Sequence, residues 1–359
     1  MEKYYSDHDF FYSLLYGNGV YQENEKVSED ATASKPIIRN VITGETYILK
    51  CFPDKYLSHY KKLISYPPDS EIVLWPADIV QVSAEEQEKC TLFVGQRYTD
   101  GVGDTGQKCN ERNCALLFYE KDYSKCKNLN VYLNEIKENI KSSLVRSWEN
   151  QSIQNLMVQL VKTIIKLNAC GYCFFDFHVS DFHQSAIWIR EDKSVFLEFT
   201  NLIFDKDDFD VEEIEPGEYP IEFIEPSFQY DCRQKKECKL NYRSQNYSLA
   251  AMLFYLCFDR YAYESTEVTV STLDDTKMNH YTKFRDYYHP NPGFIFDPEL
   301  DLLDKTTERS LLQSWEECPR ELKRLFSAAL KNEQMKIQSI EPVPIPSEWL
   351  KCFQELGWC

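Results

Sequence analysis

The sequence predicts an α+β fold with a small antiparallel, β-rich N-terminal lobe carrying one helix and a larger, mainly helical C-terminal lobe. Three observations predict it. Residues 36–52 alternate at the period of a strand hairpin, apolar residues recur at helical spacing from 131 to 167, and the run 247–258 is almost wholly apolar. A chain of 359 residues with 43% hydrophobic residues can bury the core of one large or two modest domains.

The elements follow in order. Pro36-Ile-Ile-Arg-Asn-Val-Ile-Thr-Gly-Glu-Thr-Tyr-Ile-Leu-Lys-Cys-Phe52 reads as two β-rich runs joined at Thr43-Gly44. A short helix, Tyr56 to Tyr66, is ended by Pro67-Pro68, and strands follow at Ile72-Val-Leu-Trp-Pro76 and Thr91 to Tyr98. From about residue 128 the pattern turns helical. Val131 to Ile140 and Ile153 to Leu167 are amphipathic, Tyr247 to Phe258 reads as a buried central helix, and Glu321 to Lys331 and Pro346 to Leu356 supply two more. The expected domains are residues 1–98 for the N-lobe with a polar insertion near 22–34, 99–127 for a hinge and connecting insertion, and 128–359 for the helical C-lobe.

A formal net charge of −18 disfavours nucleic acid and anionic membrane surfaces, whose phosphates would be repelled. No apolar run approaches the roughly 18 residues needed to cross a bilayer, and Met1-Glu-Lys-Tyr-Tyr lacks a secretory pattern, so a cytoplasmic protein is expected. Thirteen cysteines, an odd number without a secretory signal, read as reduced thiols. Cys109 with Cys114 and Cys232 with Cys238 are spaced too widely for a usual zinc pair, and no paired histidines follow.

Several short motifs stand in a fixed order: Tyr47-Ile-Leu-Lys50, Leu74-Trp-Pro-Ala-Asp-Ile-Val80, Gly171-Tyr-Cys leading into Asp176-Phe-His, Glu218-Tyr-Pro-Ile-Glu-Phe-Ile-Glu-Pro226, Tyr247-Ser-Leu-Ala-Ala-Met-Leu-Phe254 and Ser314-Trp-Glu-Glu-Cys-Pro-Arg-Glu-Leu-Lys-Arg-Leu-Phe326. In this order, and over nearly the whole chain, the sequence resembles the protein kinase superfamily. Within it the chain is most similar to compact bacterial Ser/Thr kinase-like proteins with a Trp-Pro motif and a final Trp-containing helix.

Phosphoryl transfer needs phosphates clamped, metals held and a hydroxyl oriented. The resemblance assigns the phosphate contact to Lys50; the competing reading is an edge-strand lysine that keeps the surface soluble. Kinases orient that lysine with a glutamate from the small-lobe helix, yet Lys55 to Pro68 holds no acidic residue before Asp69. A phosphate-approaching loop is offered only by Gly17-Asn-Gly19, with Gly19 standing 31 residues before Lys50; the competing reading is a turn after an N-terminal helix. The loop Asp176-Phe-His-Val-Ser-Asp-Phe-His-Gln-Ser185 presents two candidate catalytic carboxylates. Counting back from Ile187-Trp-Ile favours Asp181 and puts Ala186 where a metal-ligating Asn is expected. Counting forward from Gly171 favours Asp176 and puts Asp181 at the metal position. The first register is preferred.

The second metal ligand falls on Glu198-Phe-Thr200, where the family carries Asp-Phe-Gly. Glu222 or Glu225 is expected to pair with a C-lobe arginine, and Gln245 replaces an aspartate at the start of the buried helix. The scaffold motifs are kept while the chemistry positions are altered, which implies a pseudokinase acting as a regulatory or binding module, with ATP and magnesium bound weakly or not at all and with a protein partner. Two alternatives remain: an active atypical Ser/Thr kinase, with Asp181 or Asp176 catalytic and Asp181 and Glu198 on magnesium, and a non-kinase α+β module whose 24 tyrosines serve an interface. His178 and His183 lack a clear third ligand for zinc, and no Gly-x-Ser-x-Gly elbow supports a hydrolase.

Overall fold

The computed structural model describes residues 10–12, 20–23, 37–52, 56–68, 72–81, 114–119, 126–140, 144–177, 179, 185–200, 203–205, 221–225, 241–264, 293–331 and 342–359. The chain divides into two compact units, Met1–Lys127 and Asn128–Cys359.

The first unit is built on a six-stranded sheet of β1 (Phe10–Tyr12), β2 (Val20–Glu23), β3 (Ile37–Asn40), β4 (Thr46–Phe52), β6 (Asp78–Gln81) and β7 (Cys114–Tyr119), in the order β1-β2-β3-β4-β7-β6. Every neighbouring pair is antiparallel. The expected hairpin forms as β3 and β4. Asn40 accepts from the amides of Ile42 and Thr43, and Gly44 takes φ +74, a left-handed geometry that is strained for other residues.

Strand period two splits the sheet into two faces. Ile38, Tyr47, Leu49, Val80, Ala115 and Leu117 form a buried cluster on one face. Lys50, paired with Leu116, which in turn pairs with Ile79, belongs to the other face, as do Phe52 and Phe118. Helix α1 (Leu57–Ile64) buries Tyr60, Leu63 and Ile64, and Tyr60 meets Phe52 edge to face at 4.7 Å.

Part of the segment expected as hinge and insertion, 99–127, is instead β7, a strand lying between β4 and β6. Cys114-Ala-Leu-Leu-Phe118 is buried on both faces, so it carries no polar alternation to mark it as a strand. The strand expected at Thr91 to Tyr98 lies outside the described residues. The short strands β5 (Val73–Leu74) and β8 (Cys126–Asn128) complete this part of the chain.

The second unit begins with α2 (Leu129–Ile140) and a 3-10 turn, Leu144–Glu149. Helix α3 (Gln151–Ala169) is capped by Asn150, which accepts from the Ser152 amide at 2.8 Å. Strand β9 (Tyr172–Phe174) pairs with β12 (Ile203–Asp205), and β10 (Ile187–Arg190) pairs with β11 (Val195–Glu198). Thr163 donates to the Val195 carbonyl at 2.8 Å, tying α3 to β11.

Helix α4 (Tyr242–Phe258) is buried on nearly every side, as its apolar sequence requires. Around its end Phe254 packs on Phe294, Phe296 and Phe326, and Phe296 stacks on Trp315 at 4.4 Å. The helix read at Glu321 to Lys331 is α6 (Arg320–Leu330), and α5 (Arg309–Glu317) precedes it; the two are separated at Cys318-Pro319, where proline cannot continue a helical ladder. Helix α7 (Pro346–Glu355) packs Trp349 on Phe326 at 5.0 Å.

Candidate functional site

Lys50 is not an edge residue. Its strand, β4, has β3 on one side and β7 on the other, and Lys50 is only 7% exposed. Its ammonium lies 5.1 Å from the centroid of the Phe118 ring. Solubility does not account for a lysine buried on an apolar face; lysines are almost never buried without a compensating role. Helix α1, packed on the same face, runs Leu-Ser-His-Tyr-Lys-Lys-Leu-Ile and brings no carboxylate.

Gly17 and Gly19 lie outside the described residues. The sequence also allowed a turn after an N-terminal helix there, but residues 10–12, ahead of the two glycines, form a strand paired with residues 20–22.

In the second unit Gly171, at φ +89, turns the chain out of α3 into β9, and Asp176 follows two residues after the strand. Asp176 is 1% exposed. Side chains anchor the backbone around it at three points. Gln245, fully buried on α4, accepts from the Phe174 amide at 2.9 Å. The Tyr261 hydroxyl donates to the Val179 carbonyl at 3.3 Å. Asn128 donates to the Ser185 carbonyl at 2.5 Å and accepts from the Ser185 amide at 3.2 Å. Asp181 and the neighbouring His178, Ser180 and His183 lie outside the described residues. Ala186, the expected Asn position of the preferred register, offers no side-chain ligand, and its carbonyl accepts from the Glu198 amide at 2.7 Å.

Glu198 closes β11 and is 3% exposed. The register that pairs Trp188 with Phe196 puts Trp188 and Glu198 on one face of the hairpin, and the indole donates to the Glu198 carboxylate at 2.9 Å. Asp176 and the Glu198-Phe-Thr200 segment are drawn together because β9 pairs with β12, Phe174 opposite Ile203, directly after that segment.

Gln245, where the resemblance expects an aspartate, still accepts the Phe174 amide through its side-chain oxygen, as a carboxylate would. Of the two acids expected to pair with a C-lobe arginine, Glu225 meets Arg243 at 3.6 Å. Glu222 lies beside the Glu264 carboxylate, and burial pushes its carboxyl up to about 7. Sequence reading missed Asn128, Trp188 and Tyr261 as partners of these segments. Their only signal is polarity inside apolar runs, which does not say which distant backbone they reach. Among the described residues no group of three or more His, Cys, Asp or Glu is arranged to hold a metal ion. Cys114 is buried in β7.

Among solved structures, the kinase domain of a Toxoplasma gondii specific rhoptry antigen matches with a TM-score of 0.52 at 10% identity, over 97% of this chain and 86% of its own. A rhoptry kinase from Toxoplasma gondii matches with a TM-score of 0.52 at 10% identity, over 97% of this chain and 84% of its own. No protein-family model and no curated protein matches the sequence. The chain has a protein-kinase-like α+β fold, with an antiparallel-sheet N-terminal region and a helical C-terminal region. An unrelated α+β interaction module is set aside by that likeness.

Proposed function

We propose that the chain is a pseudokinase, a kinase-like regulatory or binding module with weak or no phosphotransfer. The observation that carries this reading is the buried indole of Trp188 on the Glu198 carboxylate. A metal-ligating carboxylate must present its oxygens to an ion and its waters; this one is longer than aspartate, buried in the hairpin and already hydrogen-bonded. The described residues therefore fit magnesium poorly. Nucleotide contact, if kept, falls to Lys50 with no carboxylate supplied by helix α1, and is weak and independent of magnesium. A protein partner in the cytoplasm is the corresponding role, and the net charge of −18 favours a basic surface over nucleic acid or an anionic membrane.

A second reading, an active atypical Ser/Thr kinase, is favoured by one observation: the buried Gln245 and the half-buried Tyr261 hold the backbone on either side of Asp176. The two separate in a phosphotransfer assay of the purified chain with ATP and a generic protein acceptor, beside Asp176→Ala and Asp181→Ala. The pseudokinase predicts no incorporation above that of the variants. Incorporation lost in either variant would establish the active enzyme.

A further inference from the structure

Helix α1 is basic in an acidic chain. Residues 56–68 contain His59, Lys61 and Lys62 and no Asp or Glu, whereas the whole chain has 58 acidic residues against 40 Lys and Arg. The helix buries Tyr60, Leu63 and Ile64, with Tyr60 on Phe52 of the sheet, so helical spacing turns its polar residues outward. Ser58, Lys62 and Tyr66 follow one another at four-residue steps and are exposed, with His59 and Lys61 half-buried. A surface helix commonly interleaves acids with its lysines at this spacing, because such pairs stabilise it. Helix α1 has no acid to interleave.

Lysines in the last turn suit the helix dipole, but the dipole does not account for what stands just beyond them. The Ser65 hydroxyl donates to the Lys61 carbonyl at 3.0 Å and the Tyr66 amide to the Leu63 carbonyl at 3.0 Å, which closes the helix end. Tyr66 is left 73% exposed there, and Pro67, also exposed, restricts the Tyr66 backbone. An aromatic ring held in solvent on a restricted backbone has the character of an interface anchor, since little freedom is lost when it is covered.

We propose that the outer face of α1, together with Tyr66, docks a short acidic segment of a protein partner, with carboxylates on Lys61 and Lys62 and an apolar residue on the Tyr66 ring.

Charge selects this occupant. Nucleic acid or an anionic membrane would bring an extended array of phosphates against a molecule of net charge −18, and two copies of the chain repel each other for the same reason. A short acidic segment reaches the local cations without that repulsion over the whole surface. The bulk of the chain favours a basic partner surface, and α1 is the local exception that takes the partner's acidic part. The inference rests on the binding-module reading only in needing a protein partner. Docking is measured without ATP, so its failure and a failure of the pseudokinase reading are told apart.

The test is a fluorescence-anisotropy titration of the full chain with a labelled synthetic peptide, Glu-Glu-Asp-Phe-Glu-Asp-Leu-Glu, at about 50 and about 200 mM salt. Affinity should fall at the higher salt, weaken about tenfold in the double variant Lys61→Glu, Lys62→Glu, and weaken about threefold in Tyr66→Ala. Carbodiimide coupling of the bound peptide, mapped by mass spectrometry, should join its carboxylates to Lys61 and Lys62 ahead of the other lysines. An absence of binding, an affinity unchanged in the double variant, or coupling spread evenly over the lysines overturns the proposal. Tighter binding of oligothymidylate or of phosphatidylserine vesicles through these lysines would give the face to another class of partner, and a dimer in sedimentation that the double variant dissolves would give it to a second copy; each overturns it as well. Should the double variant fail to fold, the coupling map of wild type decides.

Discussion

Replacing Gln245 with methionine tests how the loop that carries Asp176 is held. The side chain is fully buried on α4 and its amide oxygen is the acceptor for the Phe174 N–H at 2.9 Å. Methionine matches glutamine closely in length and volume, so the cavity cost is small. The Phe174 amide is then left buried without this acceptor, at a cost of about 1–3 kcal/mol. Against that, the Gln245 Nε2 has no hydrogen-bond partner among the described residues, and removing it returns about 1 kcal/mol. A net loss of about 1 kcal/mol is expected in urea denaturation, with an unchanged m-value. Locally, the Phe174 amide should exchange about tenfold faster, since tenfold corresponds to about 1.4 kcal/mol. Unchanged stability together with unchanged Phe174 exchange would refute the tether.

Three further outcomes are expected. Trp188→Phe removes the donor from the buried Glu198 carboxylate and should cost about 2–3 kcal/mol, much of it recovered when Glu198→Gln is added; additive effects in a double-mutant cycle would contradict the pairing. Lys50→Met should change stability by less than about 1 kcal/mol, because relief from burying an ammonium offsets the lost contact with Phe118; a loss above about 2 kcal/mol on chemical denaturation would make Lys50 a structural residue. Gly171→Ala, at φ +89, should cost about 1–2 kcal/mol by thermal unfolding, and a neutral result would mean the turn relaxes to another geometry.

The sequence made the helices legible because their periodicity runs long: Ile153 to Leu167 and Tyr247 to Phe258 lie inside α3 and α4. The β3–β4 hairpin was equally plain from its alternation and its glycine turn. Short strands were not. Cys114–Tyr119 is buried on both faces and does not alternate, and the three- and four-residue strands at Phe10 and Val20 are too brief to declare a period. Site residues divide in the same way. Lys50 and Asp176 could be marked from local motifs, but the central place of β4 comes from pairing with β7, more than sixty residues away, and the sequence reading could not supply it. Gln245 looked like a loss because only its identity was visible. Its hydrogen bond to Phe174, 71 residues back, is what shows that an acceptor is kept there.

The most direct test of the pseudokinase reading is a thermal-shift titration of the purified chain with ATP, with and without magnesium, beside Lys50→Ala. Ligand that binds only the folded state raises the midpoint by mass action. At ATP on the order of millimolar, well above the dissociation constant of a working site, the reading predicts no magnesium-dependent rise, and any small magnesium-independent rise should vanish in Lys50→Ala. A magnesium-dependent rise lost in that variant would contradict it and establish a working metal–nucleotide site.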